Sequence, residues 1–180
     1  KKINLMKIIN TKFKDCKKIK GINFIDNRGH FREIFKAKII NKKPIFWCMS
    51  KSKKNVLRGL HMQKKVQQEL FVSVVIGKIF DVIVDLRPKS KSYGKHLVNI
   101  LSAKNATSLF VPKGFAHGFC ALEKENLVLY GISNYRSKNN ELGIIWNDYD
   151  LNIKWPINNP IISNKDKKNL TFNKYKTLYL

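Results

Sequence analysis

The stretch that decides the fold is Leu70-Phe71-Val72-Ser73-Val74-Val75-Ile76-Gly77-Lys78-Ile79-Phe80-Asp81-Val82-Ile83-Val84-Asp85-Leu86. Its first half, residues 70–76, is a valine-rich apolar run that closes at Gly77-Lys78. Its second half alternates, with Phe80, Val82, Val84 and Leu86 on one face and Asp81 and Asp85 on the other. β-branched and aromatic side chains suit a pleated, half-buried surface, and a period of two marks a strand. The aspartates face either solvent or the inside of a barrel, and alternation alone leaves that choice open. Arg87-Pro88-Lys89-Ser90 then turns the chain.

Working outward, the same texture repeats. Upstream, residues 22–25 lead into the turn Asp26-Asn27-Arg28-Gly29, residues 31–35 alternate, residues 45–49 form an apolar run, and residues 56–63 read as strand-like. Downstream, strands are expected at residues 96–101, 107–111, 119–122 and 127–133. Short strands at turn-length spacing, with few helical stretches between them, predict an all-β sandwich or barrel rather than βαβ units. Beyond Tyr149 the character changes to Trp155-Pro156, Pro160 and the polar run at residues 163–168. This predicts an irregular tail with a short helix wrapped on the barrel. No internal repeat or linker divides the 180 residues, so one domain over residues 1–180 is expected.

Composition narrows the function classes. A hydrophobic content of 43% suits a globular core. No apolar run reaches the length of a membrane-spanning helix, and Lys1-Lys2-Ile3-Asn4-Leu5-Met6 lacks the apolar stretch of a signal peptide. No membrane partner and a cytoplasmic location are therefore expected. Cys16, Cys48 and Cys120 show no metal or redox spacing and read as buried free thiols. The net charge of +24 comes from lysines spread along the chain amid asparagine and isoleucine. Without an arginine-rich arm, zinc-finger spacing or helix-turn-helix pattern, no nucleic-acid partner is expected. A diffuse positive field would still draw in a substrate carrying a diphosphate.

Two histidines stand in settings that carry chemistry. His61 lies in Val56-Leu57-Arg58-Gly59-Leu60-His61-Met62-Gln63, and His117 in Val111-Pro112-Lys113-Gly114-Phe115-Ala116-His117-Gly118-Phe119. An isolated histidine of this kind is commonly a satisfied core residue. His30 and His96 have polar surroundings and read as surface. Pro-x-Gly-x-x-His is similar to the second half of the cupin signature. Metal-binding cupins carry His-x-His in the first half, and here position 63 is glutamine, so no metal and no cofactor is expected.

The chain resembles the dTDP-4-dehydrorhamnose 3,5-epimerases, metal-independent cupins of sugar-nucleotide and polysaccharide biosynthesis. The resemblance rests on Asp-x-Arg-Gly-x-Phe-x-Glu at residues 26–33, Leu-Arg-Gly-Leu-His-x-Gln at residues 57–63, and Gly-x-x-x-Asp-Val-x-Val-Asp-Leu-Arg at residues 77–87. It continues in the family's order with Pro-x-Gly-Phe-Ala-His-Gly-Phe at residues 112–119, Trp-Asn-Asp at 146–148 and Ser-x-Lys-Asp at 163–166. It implies a cupin jelly-roll barrel with a short helical or irregular carboxy-terminal tail. It also implies a nucleoside-diphosphate 4-keto-6-deoxy sugar as substrate, whose ketone acidifies the neighbouring carbons. By the same resemblance His61 is the base, Asp166 its orienting partner and Tyr130 the opposing acid; on its own, Tyr130 reads as a half-buried barrel tyrosine. Arg58 and Lys165 match diphosphate-binding positions, Gln63 closes the histidine motif in the pocket, and His117 and Glu141 match sugar- and nucleotide-contacting positions. Tyr135 matches an aromatic that stacks on the nucleotide. Arg28, Phe31 and Glu33 match an amino-terminal strand lent to a neighbour's site, which implies a homodimer with isologous contacts.

Two departures bear on the substrate. Where the family carries an enolate-stabilising lysine, this chain has Leu70, with Lys64 or Lys65 as candidate replacements if their loop folds inward. Losing such an electrostatic contact costs on the order of a hundredfold or more in rate. Where the family carries two amides facing the substrate, this chain has Phe46-Trp47-Cys48. Epimerisation at one carbon only, a ketoisomerase, or a weakened sugar-nucleotide binder therefore stand as alternatives to epimerisation at both C3 and C5.

Overall fold

Gly77 passes the chain from one sheet to another. The structure is a computed structural model and describes residues 6–13, 15–41 and 43–179, which leaves most of the Lys1–Met6 stretch outside the described residues. Residues Leu70–Ile76 (β7) and Lys78–Asp85 (β8) do not pair with each other. β7 belongs to a six-stranded sheet and β8 to a five-stranded one. Gly77 has φ +80°, and a Cβ there would lie 2.2 Å from the Glu125 carbonyl, so only glycine makes this crossing without strain.

The six-stranded sheet runs in the order β1 (Lys7–Asn10), β2 (Lys17–Lys20), β10 (Thr107–Val111), β7, β12 (Glu125–Ile132) and β5 (Phe46–Lys53). The five-stranded sheet runs β13 (Glu141–Gly143), β6 (Leu57–Gln63), β11 (Phe115–Ala121), β8 and β9 (His96–Ser102). A separate hairpin joins β3 (Phe24–Asp26) to β4 (Gly29–Phe31), and the pairs are antiparallel throughout. Two short helices, α1 (Ala37–Ile40) and α2 (Phe172–Tyr179), complete the chain.

Both sheets are covered on two faces, which is why their strands are so apolar. Between them lies a core built from Val72, Val74, Leu109 and Val128 of one sheet and Ile79, Ile83, Leu101 and Phe119 of the other. Behind the five-stranded sheet, Val82, Val84 and Leu86 pack against Leu151, Ile153, Phe172 and Tyr175 of the tail. Behind the six-stranded sheet, Phe71 and Phe110 are covered by Ile34, Phe35, Ile39 and Ile40. This answers the question left by alternation along β8. Ile79, Asp81 and Ile83 point inward, and the Val82–Val84 face lies under the tail.

Some strands differ from expectation. The alternating segment 31–35 leaves the sheet at Phe31, because Arg32 donates to the Val74 and Ala103 carbonyls and Ile34 and Phe35 are consumed as a cover. β1, the edge strand, and β2 beside it are four-residue strands with little apolar periodicity to announce them. β11 begins at Phe115 rather than near Phe119, so the turn at residues 112–114 runs straight into a fully buried strand. Cys16 and Cys120 are buried as expected, but Cys48 is exposed, because its stretch of β5 at the sheet edge is open to a cavity.

At the end of β8, Asp85 is fully buried and accepts hydrogen bonds from Arg87, Ser90 and Ser92. Burial pushes its carboxyl up, but these donors outweigh burial and hold it down to about 2. A carboxyl lowered on folding adds stability above its unfolded value, lost as pH falls through the folded one. Asp85→Asn should cost about 2 kcal/mol at neutral pH. In urea titrations that deficit should shrink as pH falls from 3.8 to about 2.

Candidate active site

Two glycines bring the histidine strands together. Gly59 has φ +113°, and a Cβ on it would meet the Gly118 Cα at 2.6 Å and the His117 carbonyl at 2.7 Å. A Cβ on Gly118 would in turn meet the Arg58 carbonyl at 2.8 Å. The β6–β11 register shifts at this point, between His117 and Phe119, and places His61 opposite His117. The glycines in Arg-Gly-Leu-His and Ala-His-Gly-Phe are thus required by a backbone contact that sets both imidazoles side by side.

The tail then supplies the partner of His61. Ile161 forms a parallel bridge with Val56, just before β6, and Leu170 bridges Ile144, just after β13. Buried Asp148, of Trp-Asn-Asp, holds the tail by accepting from the Asp150, Leu151 and Phe172 amides. Between the two bridges a short 3-10 turn at Asp166–Lys168 sets Asp166 under β6. His61 Nε2–H donates to Asp166 Oδ1 at 2.5 Å, and the Gly59 amide donates to Oδ2. Burial alone would raise the Asp166 carboxyl, but His61, the Gly59 amide and Ser163 together hold it below the usual carboxylate range. It remains an anion, which fixes the tautomer and leaves His61 Nδ1 with a free lone pair.

Tyr130 stands on β12, paired across the strands with Cys48 and Val72. Its hydroxyl shares a 3.2 Å hydrogen bond with Ser50. Burial pushes this phenol well above its ordinary value, so it stays protonated through the physiological range. Its ring meets His117 edge to face with centroids 6.4 Å apart, and His117 Nε2–H donates to fully buried Asp81 at 2.6 Å.

His61, Tyr130 and Asp166 line one cavity of about 820 Å³. Arg58, Gln63, His117, Glu141 and Lys165 line it too. Arg58 is held by Ser52 and the Lys51 carbonyl, and Gln63 accepts from the Ser137 amide. Tyr135 lies at the rim, stacked on Phe46, which is part of the wall, with centroids 5.5 Å apart. Arg28, Phe31 and Glu33 are not brought to this cavity. Arg28 pairs with Asp26 on the exposed β3–β4 hairpin, and Glu33 with Lys36. Leu70 is on the wall, but neither Lys64 nor Lys65 is, because the Lys64 ammonium sits over the Tyr179 ring instead. Arg136, Gln67 and Gln68 also line the cavity and were missed, since the loops carrying them show no pattern beyond polarity, whereas Cys48 of β5 lines it where the resemblance set substrate-facing residues. Among the described residues, no three His, Cys, Asp or Glu side chains gather as a metal site would require.

The architecture is the jelly-roll barrel of the cupins, and that fold sets the class of the protein. The dTDP-4-dehydrorhamnose 3,5-epimerase family model matches residues 10–174. A dTDP-4-dehydrorhamnose 3,5-epimerase of Shigella flexneri is 42% identical over 168 residues, covering 89% of this chain and 93% of that protein. The crystal structure of the Bacillus anthracis dTDP-4-dehydrorhamnose 3,5-epimerase, with TDP and PPi bound, matches with a TM-score of 0.89 at 39% identity, over 93% of this chain and 99% of that one. The Legionella pneumophila dTDP-6-deoxy-D-glucose-3,5-epimerase, in complex with dTDP-4-keto-L-rhamnose, matches with a TM-score of 0.89 at 35% identity, over 93% of each chain. The chain belongs to the dTDP-4-dehydrorhamnose 3,5-epimerase family.

Gly59→Ala should cost about 3 kcal/mol or more, because it adds strain at positive φ to a backbone collision. Thermal unfolding would register this as a large loss of Tm. A variant with wild-type stability would mean that the close approach of β6 and β11 is not required.

Proposed function

We propose that the chain inverts carbon centres flanking the keto group of a dTDP-linked 4-keto-6-deoxy sugar. The observation that carries this is that an imidazole oriented by a carboxylate and a partly buried, protonated phenol line one cavity. A C4 ketone makes the C3 and C5 hydrogens acidic, because either carbanion is delocalised as an enolate. His61 Nδ1 removes the proton, and Asp166 stabilises the imidazolium that results. Tyr130 returns a proton to the other face of the carbon. Arg58 and Lys165 hold the diphosphate, Gln63, His117 and Glu141 frame the sugar and nucleotide, and Tyr135 stacks on the base with Phe46 behind it.

The β3–β4 hairpin fits a second role in the same reading. It projects Phe31 at 67% exposure and lies away from its own cavity, which suits a segment lent with Arg28 and Glu33 to a neighbour's site in a two-fold dimer. A single domain and a cytoplasmic location, where nucleotide sugars are assembled, belong to this reading. No described helix is long and apolar enough to cross a membrane. The apolar wall of Phe46, Cys48, Met49 and Leu70 favours one refinement, inversion at a single carbon, since fewer polar groups there can steady a ring that must turn to expose both centres.

Incubation with dTDP-4-keto-6-deoxyglucose in deuterated water tests the proposal. Deuterium should enter at C3 at least, and entry at C5 as well separates dual from single epimerisation. His61→Ala should abolish uptake. Undiminished uptake in that variant would overturn the assignment of the base.

Removing the orienting carboxylate should also be costly. Asp166→Asn should lower kcat by about 100-fold or more, since the amide can stabilise neither the tautomer nor the imidazolium. Tyr130→Phe should still wash out the substrate proton into solvent while inverted product falls. Equal loss of both signals would assign Tyr130 to binding instead.

A further inference from the structure

Arg136 is the one cation on the cavity wall for which the sequence patterns gave no part. Its Nε donates to Glu141 Oε2 at 2.6 Å, and its Nη2 reaches the same oxygen at 2.6 Å. The other oxygen of that carboxylate is taken by the Lys165 ammonium. Glu141 is itself almost buried, its side chain 6% exposed, whereas Arg136 and Lys165 are each 54% exposed. Two half-open cations therefore converge on one buried anion at the edge of a cavity that a dianionic ligand would enter. Nη1 of Arg136 has no hydrogen-bond partner among the described residues.

A fork of guanidinium donors with an ammonium beside it is also the donor set that a phosphoryl group accepts. The Glu141 carboxylate resembles half of such a group, with two anionic oxygens on the same donors. Arg58, by contrast, is already held by Ser52 and the Lys51 carbonyl. Arg136 keeps a free edge and a partner it can exchange.

We infer that Arg136, together with Lys165, binds the substrate's diphosphate, and that the ion pairs with Glu141 are exchanged for phosphate contacts when the nucleotide enters. The inference rests on the nucleotide-sugar reading above. Arg136 is then a binding residue that contributes to selection for a diphosphate over an uncharged glycoside. The exchange also releases Glu141 to accept from the rest of the ligand, so one carboxylate serves both the empty and the filled site.

Calorimetric titration with dTDP and with thymidine tests this. Arg136→Ala should weaken dTDP binding by about 10-fold or more, the effect of losing charge-assisted hydrogen bonds, and leave thymidine binding unchanged. The loss should persist when Arg136→Ala is made in a Glu141→Gln background, because the guanidinium acts on phosphate directly. An unchanged dTDP affinity would overturn the inference, as would an equal loss for thymidine or a loss that vanishes in the Glu141→Gln background. Failure of the wild-type chain to bind any nucleoside diphosphate would instead remove the nucleotide-sugar reading itself.

Discussion

The short hydrogen bond between His61 and Asp166 joins two parts of this molecule that are far apart in sequence, a barrel strand and the carboxy-terminal tail. Burying a carboxylate costs several kcal/mol unless it is compensated. Here the compensation comes from the imidazole N–H and the Gly59 amide, both on β6, and from Ser163 of the tail. Stability and chemistry are served by the same contact. The donors that make the buried anion tolerable also fix which nitrogen of His61 keeps its lone pair.

The cavity separates its charges by depth. In its interior sit two imidazole–carboxylate pairs, His61 with Asp166 and His117 with Asp81, and the phenol of Tyr130 whose proton burial retains. Around them are Arg58, Arg136 and Lys165, held by hydroxyl, carbonyl and carboxylate groups. The more enclosed groups are the ones that titrate, and the half-exposed ones are the fixed cations.

Much of this was legible in the sequence because it follows from local rules. The period of two along residues 79–86, the turn residues and the scarcity of helical stretches announce a β-barrel. β7 and β10 begin and end where pattern places them. The motifs around His61, His117 and Asp166 named three of the residues that now line one cavity. β1 and β2 escaped because four-residue strands at the end of a sheet carry little apolar periodicity. The cover formed by Ile34 and Phe35 was misread because a segment packed on the outside of a sheet can alternate as a strand does. Cys48 was expected inside because free cysteine is commonly buried, although the resemblance sets Phe46-Trp47-Cys48 where the family faces its substrate.

By itself, then, the sequence determined the all-β class and the places of most turns. These depend on steric rules and periodicities that act over a few residues. Only the tertiary structure decided that Asp81 points inward, that Gly77 carries the chain between sheets, that Lys64 turns away to Tyr179, and that Arg136 shares Glu141 with Lys165. Each is a contact between segments distant along the chain. Which side chain meets which is settled there by packing two covered sheets and a tail around one cavity, and local pattern carries no record of that choice.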